Sequence, residues 1–185
     1  MTTRRAPRAL AALAVALGLT GCTSQVGGQA TASSSAAQST PPGTNSPSTS
    51  PFSGLNQCSM LDEALAGQGF PRATPTVARA KESCRTSKAT SGDSPGVDVI
   101  LSLQTGQNYR DNVGNPSQAS EGNVNGRPAV EEREPENSSG QCGVWLEVKP
   151  NSRALVLVSS GSDTATACAQ VEAIAEKVEP LLPKN

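Results

Sequence analysis

Four cysteines, at positions 58, 84, 142 and 168, constrain the fold of this chain more than any other feature. The chain holds one Trp, one Tyr and two Phe, so its core must be built from Val, Leu and Ala. A core of that kind gains from covalent ties. No two of these cysteines form a CxxC pair, which argues against a zinc knuckle or a thioredoxin-like redox motif. An even number of cysteines in an exported domain reads as two disulfides, and four cysteines allow three pairings.

Side-chain direction selects among the three. In CGVWLEVK, residues 142–149, Cys142, Val144, Leu146 and Val148 share one face of a strand by the two-residue period, and Trp145, Glu147 and Lys149 share the other. Farther on, Ala167, Val171, Ile174, Ala175 and Val178 fall on one face of a helix that Ser162 or Asp163 can cap and Pro180 ends. Cys168 belongs to that apolar face. A cysteine pointing from a strand toward a covering helix matches one pointing from a helix toward a sheet. The expected bridges are therefore Cys142–Cys168 and, by exclusion, Cys58–Cys84.

The rest of the domain follows the same periods. Cys58, Leu61 and Leu65 make one face of a short helix running to about Gly67. Residues 154–160, ALVLVSS, follow the turn Pro150-Asn151-Ser152 as a hairpin partner for 142–149. VDVILSL, residues 97–103, alternates cleanly, and 126–134 makes a strand after Asn125-Gly126. Residues 77–85 make a poorer one. The expected class is α+β: an antiparallel sheet of four to five strands, with an N-terminal and a C-terminal helix packed on one face.

The N-terminus has the zones of an export signal. Arg4, Arg5 and Arg8 precede an apolar stretch, Ala9–Leu19, that is too short for the roughly 20 residues a membrane span needs. LTGC at 19–22 then resembles the lipobox of bacterial lipoproteins, with Cys22 as the diacylglyceryl-modified residue and residues 1–21 as the signal peptide. Residues 23–54 contain no charged residue and are mostly Ser, Thr, Gly, Pro, Ala and Gln, a composition that buries too little apolar surface to fold. They read as a tether with a mean reach of roughly 30 Å, ahead of one domain at 55–185. Loss of the three arginines leaves 12 basic residues against 16 acidic ones. That balance offers no grip on nucleic acid and no polybasic patch for anionic lipid. The partner expected at the membrane is reached through the anchor on Cys22, on the extracytoplasmic face.

Catalytic constellations are hard to assemble from these residues. Histidine is absent, which removes the Ser-His-Asp triad, the Cys-His dyad and the commonest zinc ligand. There is no GxGxxG or P-loop motif. Glu131, Glu132, Glu134 and Glu136 read as a solvated strand edge or hairpin tip. Residues 107–123 form the longest polar connection, and such connections are uncommon and usually functional or disordered. Within it Tyr109 offers an aromatic platform and Arg110 a donor fork. Trp145, on the strand face away from Val144 and Leu146, is either covered by a loop or an exposed binding hot spot. Tyr109, Arg110 and Trp145 are the candidate binding residues; no catalytic residue, metal ligand or cofactor is expected.

NQCSML at 56–61, NGRPA at 125–129, CGVWLEV at 142–148 and ACAQVEAIAEKVEPLLP at 167–183, behind a lipobox and a Ser/Thr/Pro tether, together resemble the actinobacterial lipoproteins of domain-of-unknown-function family 3558. The resemblance implies a cell-surface lipoprotein with four structural cysteines and carries no assigned activity. In that family an aromatic often stands two residues after the second cysteine, where this chain has Thr86 after Cys84 and Arg85. The expected function is a non-enzymatic envelope module that binds a protein, glycan or lipid. The alternative is a carrier or chaperone of a hydrophobic ligand held between sheet and helices.

Overall fold

A computed structural model describes residues 50–92 and 94–184. The expected signal peptide, Cys22 and the expected tether up to residue 49 lie outside the described residues. The helix α1 spans Gln57–Ala64, capped by Asn56, whose side chain accepts the Ser59 N–H at 2.9 Å. Strands β1 (Thr74–Pro75), β2 (Ser83–Lys88), β3 (Val97–Thr105), β4 (Ala119–Val124), β5 (Arg127–Arg133), β6 (Gln141–Lys149) and β7 (Ser152–Ser160) follow. The long helix α2, Thr164–Val178, closes the order, with Asp163 accepting from the N–H and hydroxyl of Thr166.

All seven strands form one antiparallel sheet in the order β1-β2-β3-β7-β6-β5-β4. The fold is α+β with two helices as expected, but the sheet has seven strands rather than four or five. The two additional strands lack the signal that marks a half-buried strand. β1 is two residues long. β4 reads ASEGNV, has no apolar alternation, and all but its last residue lies in the stretch 107–123 read as an open connection. Its strand state comes from pairing with β5 across the Asn125-Gly126 turn, where both residues have positive φ, 50° and 86°. The poor strand expected at 77–85 shifts to 83–88.

Register explains the layering. Residues directly opposite across an antiparallel pair point to the same face. Cys84 lies opposite Leu101, Leu101 opposite Val156, and Val156 opposite Val144. This face carries both strand cysteines, and both helices pack on it, α1 over β2 and β3 and α2 over β6 and β7. Between them lie Leu61, Val99, Leu101, Leu146, Val156, Val158 and Val171, all fully buried. Each such side chain contributes about 1.5–3 kcal/mol relative to exposure. Phe52, inside the stretch read as tether, packs against the same core. Thr86, in the place where the family often carries an aromatic, is buried and donates to the Pro71 carbonyl at 2.7 Å.

Each helix is fastened to the strand beneath it. Cys58 of α1 is bonded to Cys84 of β2, and Cys142 of β6 to Cys168 of α2, with Cα–Cα distances of 5.1 and 4.9 Å. Each bridge closes 26 residues of chain. The end of the described chain is held by Arg127, 5% exposed, which donates to the Glu179 carboxylate and to the carbonyls of Glu147 and Pro183. Replacing Cys142 and Cys168 together by Ala should lower the unfolding free energy by about 3 kcal/mol, measured by urea denaturation against the parent chain. Reduction of the parent with dithiothreitol should then produce a larger loss, because it opens both bridges.

Candidate binding groove beside strand β4

The sheet face away from the helices carries a second, smaller core. By register, Leu155 of β7, Trp145 of β6, Val130 of β5 and Glu121 of β4 stand in one row across it. Trp145 folds back over Gly143, where a Cβ atom would sit 2.7 Å from the indole ring. Only glycine leaves room for that ring. The loop 106–118 crosses above and sets Tyr109 beside Trp145 and Val130, with Val113, Ala119 and Leu155 packed around them. Tyr109 is 4% and Trp145 5% exposed. The loop-covered reading of Trp145 is therefore the one the structure shows. Tyr109 is not a free platform either, since both rings are turned into this core.

Two buried charges pin the loop. Arg153 of β7, 4% exposed, donates to Oε1 of Gln104 at 2.7 Å and of Gln107 at 2.6 Å, and to the carbonyls of Asn108 and Asp111. Burial pulls its pKa below the usual arginine value, and nearby Asp111 opposes that shift. At the far end of the loop, Glu132 of β5 is completely buried and accepts from the backbone N–H groups of Gly114 and Asn115. Burial raises its pKa despite those bonds, and its Oε2 has no partner among the described residues. The acidic run was expected to be solvated along its length; Glu132 corrects that. β5 has partners on both sides, so alternate acids of the run must enter one face or the other.

Arg110 is the exposed member of the candidate set. Its guanidinium lies over the Tyr109 ring, 4.5 Å from the centroid, and forms two 2.7 Å bonds with the Glu121 carboxylate. That pairing lowers the Glu121 pKa and raises that of Arg110. The pair stands at the rim of a groove of about 450 Å³ between the loop and β4, whose floor is Val113, Pro116, Ala119 and Val130. On the helix side of the same strand lies a second concavity of about 340 Å³, walled by Glu131, Glu172 and Glu176 and floored by Gly122 and Val144. The Glu131 pKa rises to about 7, first through burial and then through its bond to the Glu172 carboxyl, with Arg133 opposing. Glu131, Cys142 and Cys168 also converge. Both sulfurs are spent in the bridge, so this group offers a metal only one carboxylate.

A scan against known families matches residues 17–181 to a family described as a protein of unknown function, DUF3558. The chain belongs to that family. No curated protein and no solved structure matches it. Assignment to DUF3558 fixes kinship without naming an activity, so the site must be read from its own geometry.

Sequence reasoning found Arg110 but missed Arg153, Glu132, Val113, Glu172 and Glu176. Arg153 was signalled by parity: it shares a strand face with Leu155 and Leu157, an odd place for a solvated cation. Glu172 and Glu176 lie on the exposed side of α2, and nothing local announced that β4 would lie beside them. Two outcomes follow from these buried charges. Arg153→Met should leave the helix-side core intact and release the loop, seen as faster proteolysis within 106–118 at an almost unchanged thermal midpoint for the rest of the domain. A carboxyl whose pKa is raised by folding stabilises fully below its ordinary value, and that contribution is lost as pH rises through the folded value. The urea midpoint should therefore fall between pH about 4.5 and about 7. Glu131→Gln should flatten that fall.

Proposed function

We propose that this chain is a lipid-anchored, extracytoplasmic binding module: Cys22 holds it to the membrane, the uncharged tether gives it reach, and the folded domain engages an envelope component through the groove beside β4. The observation that carries this reading is the clamped loop. A connection that only joined β3 to β4 would need neither a buried arginine nor a buried glutamate, and burying either charge is expensive unless it is well bonded. Here both are spent on holding one loop in one shape, which presents an apolar floor beside a charged rim. Preorganisation of that kind reduces the ordering cost of binding.

The filled layer between sheet and helices favours surface binding over an enclosed hydrophobic cargo. Leu61, Val99, Leu101, Leu146, Val156, Val158 and Val171 occupy that layer, and the concavities open at its margins. The Leu19–Cys22 motif, which falls inside the family match, supports the anchor. The absence of histidine supports a role without chemistry.

In situ cross-linking on the native cell surface tests the reading. Val113→Asp, on the half-buried groove floor, should abolish the specific cross-linked species while the protein stays folded and anchored. Cys22→Ser should move the protein from the membrane fraction to the soluble one. Undiminished cross-linking by Val113→Asp would sink the groove, and membrane retention of Cys22→Ser would sink the anchor.

A further inference from the structure

The two concavities described above lie on opposite faces of one strand, and that strand is the last in the sheet. β4 pairs with β5 on one side and has no strand on the other among the described residues. The hairpin turn fixes which of its groups are free. In a two-residue hairpin the residues flanking the turn form a hydrogen-bonded pair, and bonded and non-bonded pairs then alternate. Val124 and Arg127 flank this turn, so Val124, Gly122 and Ser120 bond to β5. Glu121 and Asn123 therefore turn their N–H and C=O groups outward, to the open edge. Ala119 also faces out, but its N–H is already given to the Pro116 carbonyl.

The chemistry on the two faces differs. On the helix side Glu131 stands beside Ser120, and Glu176 stands beside the turn, where its carbonyl accepts the Asn125 side chain at 2.9 Å. Glu172 and Glu176 are one helical turn apart, about 6 Å. Side chains on one face of a strand repeat at about 6.8 Å. Gly122 lies between, and a Cβ there would meet nothing within 4 Å, so the way from the edge to the carboxylates is open. Among the described residues no basic residue lines this concavity, and Arg133, next but one to Glu131 on β5, is the cation that acts on its wall. On the other face the floor is apolar, formed by Val113, Pro116, Ala119 and Val130.

We propose that β4 accepts an extended peptide as an eighth strand, with basic side chains alternating with apolar ones: the basic ones reach Glu131, Glu172 and Glu176 over Gly122, and the apolar ones enter the groove at Val113. This rests on the binding-module reading and names its partner's chemistry. An added strand takes its affinity from backbone bonds and its specificity from pockets for alternate side chains. A second copy of this chain fits the edge less well. Antiparallel pairing of β4 with its own copy would set two acidic walls side by side on one face of the joined sheet, and like charges so placed repel.

The test uses the full-length protein in non-ionic detergent and a capped nonapeptide of alternating Lys and Val. Amide hydrogen exchange followed by NMR should slow at Glu121 and Asn123 when the peptide binds. Affinity should drop roughly tenfold or more for Glu172→Lys combined with Glu176→Lys, and should be lost when alternate peptide nitrogens are methylated. Gly122→Val should abolish binding while leaving the thermal midpoint equal or higher, because it fills open space in a strand. That result separates blocked docking from misfolding. The proposal is overturned by unchanged exchange at Glu121 and Asn123 with millimolar peptide, by equal binding of the methylated peptide, or by equal binding of a Glu-Val nonapeptide. It is also overturned by a peptide-free dimer that Asn123→Pro dissolves, which would show that a second copy fills the edge. If Val113→Asp abolishes in situ cross-linking while the nonapeptide fails to bind, the strand-addition proposal falls and the binding module stands. If the nonapeptide binds while Val113→Asp leaves cross-linking unchanged, the strand edge stands and the groove fails as the site of cellular capture.

Discussion

Each helix of this domain is tied by a disulfide to the strand it covers, and the rest of the architecture depends on that arrangement. Cys58–Cys84 and Cys142–Cys168 sit near opposite ends of the helix-covered face, on β2 and β6, with β3 and β7 between them. Aromatic rings commonly bring 150–250 Å² each into a core, and this chain has very few of them. Its main core is instead made of Val, Leu, Ala and Ile, whose individual contributions are smaller. A helix–sheet interface of that composition has few large side chains to interlock. The bridges supply the positional constraint that interlocking side chains would otherwise give.

The same constraint decided what could be read from the sequence. Cys142 and Cys168 each lie in a segment with strong periodicity, so the direction of each side chain was legible before any contact was known. α2, β3, β6 and β7 were legible for that reason, and so was the α+β class. β4 was not. Its residues, ASEGNV, have neither period, and it is a strand because the Asn125-Gly126 turn returns it along β5. Glu132 was misread because the run Glu131, Glu132, Glu134 and Glu136 looks uniformly solvated as a composition. Parity on a paired strand sends neighbours to opposite faces, and one of them ends completely buried. The ring of Trp145 shows the opposite case, since parity placed it on the far face and left only its cover to be found.

Buried charges are usually poor contributors to net stability, because the desolvation cost offsets most of the attraction. Arg153 and Glu132 fit that rule in an informative way. Neither forms an ion pair with an opposite side chain among the described residues. Arg153 is satisfied by two glutamine side chains and two loop carbonyls, and Glu132 accepts from two loop N–H groups while its Oε2 has no partner among the described residues. The loop and the charges therefore require each other: without the loop both charges would be exposed to water or unbonded, and without the charges the loop would have little reason to hold this path. Such reciprocity specifies one conformation even where it adds little free energy. It also puts Tyr109 and Trp145 to structural use, as the apolar core beneath the same loop.

An exposed strand edge is a hazard that folded proteins blunt with charge, short length or cover. β4 is blunted on one face by the paired Arg110 and Glu121 and on the other by the carboxylates of Glu131, Glu172 and Glu176. These devices discriminate rather than forbid. Acidic walls disfavour acidic strands, including β4 of a second copy, while leaving the edge open to a strand that brings positive charge to that face. Burial first, and the neighbouring Glu172 carboxyl second, raise the Glu131 pKa, against the opposing charge of Arg133. A lysine or arginine delivered there would relieve the repulsion between Glu131 and Glu172, so the feature that protects the edge from its own kind is the one that would reward the complementary partner.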